Sequence, residues 1–186
     1  YNGKANISSL SINGQNVIKD PAGAYSVIRT TATTYSSLFL TSTPKVDIGN
    51  NIVTLSGIRY GDKDAVVTEN WRFVLTDNDI TFSIDRSVSK AIVVEEVLFP
   101  IFHFNNINTW EGAYQDYGGL AWFYLFNERL ATYGVHARSS RFWNSKTGNG
   151  LMISVDVPGK EVAMKYSRTA VDKLAYGISL SEKEML

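Results

Sequence analysis

Two neighbouring stretches of this chain alternate apolar and polar residues so regularly that little choice of backbone remains. In Ile80-Thr81-Phe82-Ser83-Ile84-Asp85 every second residue is apolar, the period of a strand with one buried face. Just before it, Val67, Glu69, Trp71, Phe73 and Leu75 fall on one face, and Thr68, Asn70 and Arg72 on the other. Thr76-Asp77-Asn78-Asp79 joins the two stretches, and such residues form Asx turns and tolerate left-handed backbone. Together they read as a β-hairpin.

The same pattern extends along the chain. Leu151, Ile153, Val155 and Val157 share a face, Pro158-Gly159 suits a type II turn, and residues 161–166 would return as a second hairpin. Residues 24–31 and 52–58 read as a third pair of strands, with further strands at 92–104, 120–126, 135–138 and 175–180. Pro100 interrupts the long segment 92–104, so a bent strand or two consecutive strands are expected there. No segment sustains a 3.6-residue period, and residues 128–132 offer at most one helical turn. The expected fold is an all-β, antiparallel β-sandwich with little or no helix, a single domain over residues 1–186.

Composition narrows the function. A chain of 186 residues can bury a core without staples, and its 44% hydrophobic and 19% charged residues are those of a globular protein. Its 18 Lys and Arg balance 18 Asp and Glu and are scattered rather than clustered. Phosphate backbones and anionic lipid attract dense basic patches, so neither nucleic acid nor a membrane surface is an expected partner. The absence of cysteine removes disulfides and thiolate metal sites. The longest apolar run, residues 120–126, is too short to span a bilayer. The chain opens at Tyr1-Asn2-Gly3 without a charged or apolar leader, and Ser181-Glu182-Lys183-Glu184 begins a helical pattern that stops at once. Both ends read as cut, and the expectation is a domain of a larger protein.

Several chemistries have no sequence support. There is no Gly-x-Ser-x-Gly elbow, His-Glu-x-x-His helix or phosphate-binding glycine loop. Asp62-Lys63-Asp64 and Asp77-Asn78-Asp79 lack the spacing of a calcium loop and read as turns. Asn6-Ile7-Ser8 fits a glycosylation acceptor, a tripeptide that also arises by chance. His103 and His136 are either ordinary strand residues or, on adjacent strands and with a carboxylate, two ligands of a metal. No cofactor or metal is expected.

Residues 105–119 form the one extended stretch without a clear period and are expected as a loop. From Trp110 to Tyr124, aromatic rings alternate with Glu111, Gln115 and Asp116, and Gly112, Gly118 and Gly119 lie among them. A saccharide would stack its apolar face on such rings and bond its hydroxyls to the amide and carboxylates. The same rings would equally fill a core or seal an interface. On the binding reading Trp110, Glu111, Tyr114, Asp116 and Tyr117 carry the contact, while Trp122, in a strand, is the most core-like. Glu111 and Asp116 are the one acidic pair among these aromatics, whereas Glu95 and Glu96 point to opposite faces of a strand. No catalytic residue is assigned.

The segment Val66-Val67-Thr68-Glu69-Asn70-Trp71-Arg72-Phe73-Val74-Leu75, its turn, and Ile80-Thr81-Phe82-Ser83-Ile84-Asp85-Arg86 resemble a known family. A Glu-x-Trp strand, a tight turn and a strand ending in Asp or Arg are similar to the β-supersandwich domains of several bacterial glycoside hydrolases. These precede a six-hairpin α/α barrel and share the galactose mutarotase-like architecture. The resemblance implies catalytic acids on a barrel outside this chain, and a sandwich that packs against it and lends a loop to the active-site rim. No mutarotase catalytic residue is carried over.

The expected function is a non-catalytic β-sandwich domain of a glycosidase, with carbohydrate and the catalytic domain of the same polypeptide as partners. Its expected location is periplasmic, cell-surface or secreted. Three alternatives remain: an autonomous carbohydrate-binding module, a small mutarotase-like enzyme using His103 or His136 with Glu111, and a structural adhesin-type sandwich.

Overall fold

The computed structural model describes residues 3–18, 22–105, 108–117, 120–125, 132–135, 139–154, 156, 162–168, 172–178 and 184–185. Among these the strands are β1 (Ser11–Ile12), β2 (Gln15–Asn16), β3 (Ala24–Thr30), β4 (Thr34–Ser36), β5 (Lys45–Ile48), β6 (Ile52–Gly61), β7 (Val66–Leu75) and β8 (Ile80–Val88). They continue with β9 (Val93–His103), β10 (Gly112–Tyr117), β11 (Leu120–Leu125), β12 (Thr132–Val135), β13 (Ser139–Asn144), β14 (Asn149–Ser154), β15 (Val162–Arg168), β16 (Asp172–Ile178) and β17 (Glu184–Met185). No described residue is helical, and the strand pairs whose register is resolved are antiparallel. The fold is all-β and sandwich-like, as the alternation implies. Two compact units divide the chain, and the division falls within β3 and β9.

The first unit comprises Tyr1–Ala5, Val27–Glu95 and Glu182–Leu186. Its main sheet is the meander β5-β6-β7-β8. The expected hairpin is β7 and β8, in register from Val67↔Val88 to Leu75↔Ile80. Its turn closes as its composition requires: Thr76 N–H donates to the Asp79 carbonyl at 2.9 Å, and Asp79 N–H to Thr76 Oγ1 at 3.0 Å.

The bulge in β6 keeps Leu55, Ile58 and Tyr60 on one face of this sheet. Leu55 pairs with Trp71 but Ile58 pairs with Glu69, so β6 spends one more residue than β7 between these points. Gly57 sits at the bulge with φ +70°, and its N–H donates to Asn70 Oδ1 at 2.9 Å. The extra residue returns Ile58 and Tyr60 to the face of Leu55; without it they would fall on the face of Thr54, Arg72 and Ser83.

On that apolar face Glu69 is fully buried. Tyr60 OH donates to Oε1 at 2.8 Å, Trp71 Nε1 to Oε2 at 2.8 Å, and Arg86 Nε to Oε1 at 2.5 Å. Glu69 and Trp71 are two apart on β7 and so share a face, which explains the Glu-x-Trp pattern locally: the indole N–H helps to solvate the acid. Arg86, opposite Glu69 in register, neutralises it.

The second unit comprises Asn6–Ser26 and Glu96–Ser181. It holds the sheet β12-β15-β16-β9, which the start of β3 extends, the sheet β11-β10-β13-β14, and the small β1-β2 hairpin. The two larger sheets face each other across one core. Ala24, Phe102 and Phe104 come from one side, Ala113 and Phe142 from the other, with Trp110, Val17 and Ile18 between them and Leu151 and Ile153 at the margin. Trp110 and Phe104 meet edge-on at 5.3 Å between ring centroids. This is sheet-on-sheet packing with interdigitated inner faces.

Pro100 lies where the sequence places a bend. β9 is one strand, but its register against β16 shifts from Ile101↔Ala175 to Leu98↔Gly177, a bulge that absorbs the missing N–H.

Several expectations are corrected. The segment 105–119 is not one long loop, because Gly112–Tyr117 is a strand paired on both sides, with β11 and β13. β14 pairs with β13 and β15 with β12 and β16, so the second expected hairpin does not form. The turn that β14 uses comes before it: Asn144 Oδ1 accepts from Lys146 N and Thr147 N at 3.1 and 3.3 Å, and Gly148 takes φ +71°. β3 pairs with β4 rather than with β6. Glu184–Met185 is a strand paired with Val93 and Val94, not helix. Residues 128–131, 136–138, Pro158 and Gly159 lie outside the described residues.

Candidate functional site

The aromatic run falls into two sets once its register is fixed. Trp110 is 1% exposed and closes the core, so it offers no face to a ligand. Along β10, Ala113 belongs to that core, and Gln115 and Tyr117 share its parity. Gln115 pairs with Trp122 and with Ser140, and Tyr117 with Leu120, so these positions share the parity of Ala113. Gly112, Tyr114 and Asp116 have the opposite parity and lie on the outward face.

The outward face gathers residues from four strands. Its central row runs Phe123, Tyr114, Arg141, Met152 across β11, β10, β13 and β14. Arg141 is exposed and Met152 is 60% exposed. The row on one side runs Leu125, Gly112, Trp143, Gly150; on the other it runs Ala121, Asp116, Ser139, Ser154. Trp143 is half-buried and stands in register between Gly112 and Gly150, neither of which has a side chain. Among the described residues this face places the Arg141 guanidinium and the Trp143 indole in adjacent rows.

Glu111 borders this face. Its N–H donates to the Trp143 carbonyl at 2.8 Å, and its carboxylate accepts from Ser145 N at 2.9 Å and from Ser145 Oγ. These hydrogen bonds hold the Glu111 carboxyl below the usual glutamate range, helped by Lys146. Glu111 thereby fixes the turn after β13. It is not brought against Asp116: Gly112 to Asp116 is four residues of strand, roughly 13 Å, and Glu111 lies beyond Gly112. A glycosidase pair needs its carboxyl groups about 5–9.5 Å apart.

His103 lies elsewhere in the second unit. Phe102 and Phe104 face the core, so His103 has the opposite parity and stands across β9 from the sheet that carries Glu111. Its Nε2 is 3.0 Å from the Tyr25 hydroxyl, and burial pushes the Tyr25 phenol up. The fold therefore does not bring His103 and Glu111 together. His136 lies outside the described residues, and among the described residues no three His, Cys, Asp or Glu cluster as metal ligands. Asn6 Nδ2 donates to the Ala22 carbonyl at 2.8 Å, so this amide is occupied.

Arg141 and Trp143 were not among the sequence candidates. The available signal was the local alternation of Arg141, Phe142 and Trp143 ahead of an Asn-Gly-rich turn, which marks a strand with Phe142 inward and its neighbours outward.

The fold and this face define an all-β sandwich with an aromatic, charged sheet surface. Comparison with protein-family models, curated proteins and solved structures finds no match for the chain.

Proposed function

We propose that the chain is a non-catalytic β-sandwich domain of a carbohydrate-active enzyme, and that it lays a saccharide along the outward face of the sheet β11-β10-β13-β14. The observation that carries this reading is Trp143 standing between Gly112 and Gly150, one row from Tyr114 and Arg141. An indole in register between two glycines provides a flat surface for a pyranose ring to stack on, and Arg141 supplies charged donors for its hydroxyls. Of the sequence candidates, Tyr114 and Asp116 hold register positions in the same rows as Arg141 and Ser139, Glu111 braces the turn after β13, and Trp110 is buried in the core.

The partner on this reading is the catalytic domain of the same polypeptide, in a periplasmic, cell-surface or secreted glycosidase. The hairpin resemblance supports that placement. The platform lies wholly within one sheet, which favours a second reading, an autonomous carbohydrate-binding module. Calorimetric titration of the isolated chain with oligosaccharides, in wild type and Trp143→Ala, tests the shared claim. Binding weakened about tenfold in the variant supports it, the scale of one lost aromatic contact. Equal affinity in both proteins removes it.

A further inference from the structure

β5 is an edge of the sheet β5-β6-β7-β8, and among the described residues no strand pairs with its outer side. Its residues Lys45, Val46, Asp47 and Ile48 are all exposed, Val46 by 53% and Ile48 by 73%. Gly49 N–H donates to the Ile52 carbonyl at 2.8 Å, so the β5–β6 hairpin closes on a hydrogen-bonded pair. Bonded and non-bonded pairs alternate along an antiparallel ladder, so Asp47 and Lys45 bond inward to Thr54 and Ser56. Val46 and Ile48 therefore turn their N–H and C=O groups away from β6. Such an edge is a template for another strand.

The side chains decide which strand fits it. Lys45 and Asp47 share the polar face of the sheet, and Val46 and Ile48 the apolar face with Leu55 and Val53. Two copies of β5 can run antiparallel about a two-fold axis at Val46. Val46 then meets its own counterpart, and their outward N–H and C=O groups bond reciprocally. Lys45 of each copy stands opposite Asp47 of the other, in the close non-bonded pair where opposite charges attract most. An axis at Asp47 would instead oppose two carboxylates. Pro44 falls opposite Ile48 and has no N–H, so the ladder ends with the strand. β8, the other edge of this sheet, carries Asp85 and Arg86 on opposite faces, and no antiparallel self-pairing sets them across from each other.

We propose that β5 is a self-association edge, to which a second copy of this chain adds its own β5 and so joins two four-stranded sheets into one. The contact uses the same edge on both copies and closes as a dimer rather than growing into a filament. Four residues from each copy make a contact smaller than a stable dimer needs, so the association is weak and reversible. It lies in the first unit and is independent of the saccharide platform in the second.

Sedimentation velocity of the whole chain, over a concentration series reaching ~1 mM, tests this pairing. The wild type should shift from monomer towards dimer as concentration rises. Lys45→Asp and Asp47→Lys, each alone, should weaken self-association about tenfold or more, because each sets like charges opposite one another twice. An equimolar mixture of the two variants should associate again, since every acidic β5 then meets a basic one. Thermal unfolding midpoints establish that both variants are folded, and Trp143→Ala should leave the association unchanged. A wild type that stays monomeric throughout overturns the proposal, as does a mixture that fails to associate. Association that survives both single reversals would place the contact on the apolar face of Phe73, Ile80 and Phe82 instead, and also overturns it.

Discussion

Glu69 is a carboxylate with no exposed surface, held by a phenol, an indole and a guanidinium. Such a group is tolerable only while its counter-charge stays. Arg86→Met should therefore destabilise the protein by roughly 3–5 kcal/mol, because it leaves a buried acid unpaired. Urea unfolding of the two proteins measures this, and a loss below ~1 kcal/mol would mean that the remaining donors suffice. Glu111 makes a different prediction. Its folded pKa is lowered by Ser145, so its contribution to stability is present above the ordinary glutamate range and lost as pH falls through the folded value. Glu111→Gln should flatten the acid limb of a stability-against-pH curve, followed by unfolding midpoints from neutral to acid pH. Asp62 is lowered by the N–H groups of Asp64 and Ala65 and acts with the same sign, so the limb should persist in part.

At the scale of the element, the bulge in β6 decides which residues are inside. Gly57 has a positive φ and open space where a Cβ would go, so Gly57→Ala tests backbone conformation with no steric clash. It should cost about 1–2 kcal/mol, the penalty for a left-handed alanine. Unchanged thermal stability would show that the bulge relaxes. Elements also mark what was legible in the sequence. Alternation revealed β7, β8 and the apolar face of β14, and Pro100 revealed the irregularity in β9, because both are local consequences of backbone geometry. Beyond the β7–β8 hairpin, pairing partners were not legible. The turn residues Pro158 and Gly159 suggested that β14 returns to the next strand, whereas β14 pairs back onto β13. A two-residue period tells which side chains share a face, not which strand lies alongside.

At the scale of the molecule, the same gap separates the expected site from the proposed platform. Tyr114 and Asp116 were suggested by the sequence because rings and acids mix within a few residues there. Arg141 and Trp143 were not, because only the β10–β13 pairing carries them from the far side of residues 118–138 to the same face. Trp110 misled for a physical reason: a tryptophan among polar residues looks exposed, yet Phe104 and Phe142 enclose it. The hairpin whose sequence suggests a glycosidase sandwich domain lies in the first unit, and the proposed platform in the second. They are separate supports for the same reading. The most direct test of the saccharide platform is calorimetric titration of the chain with a panel of oligosaccharides, comparing wild type with Trp143→Ala. The account predicts binding by wild type that weakens about tenfold in the variant with stability retained. Binding of equal strength in both, or none by wild type, would contradict it.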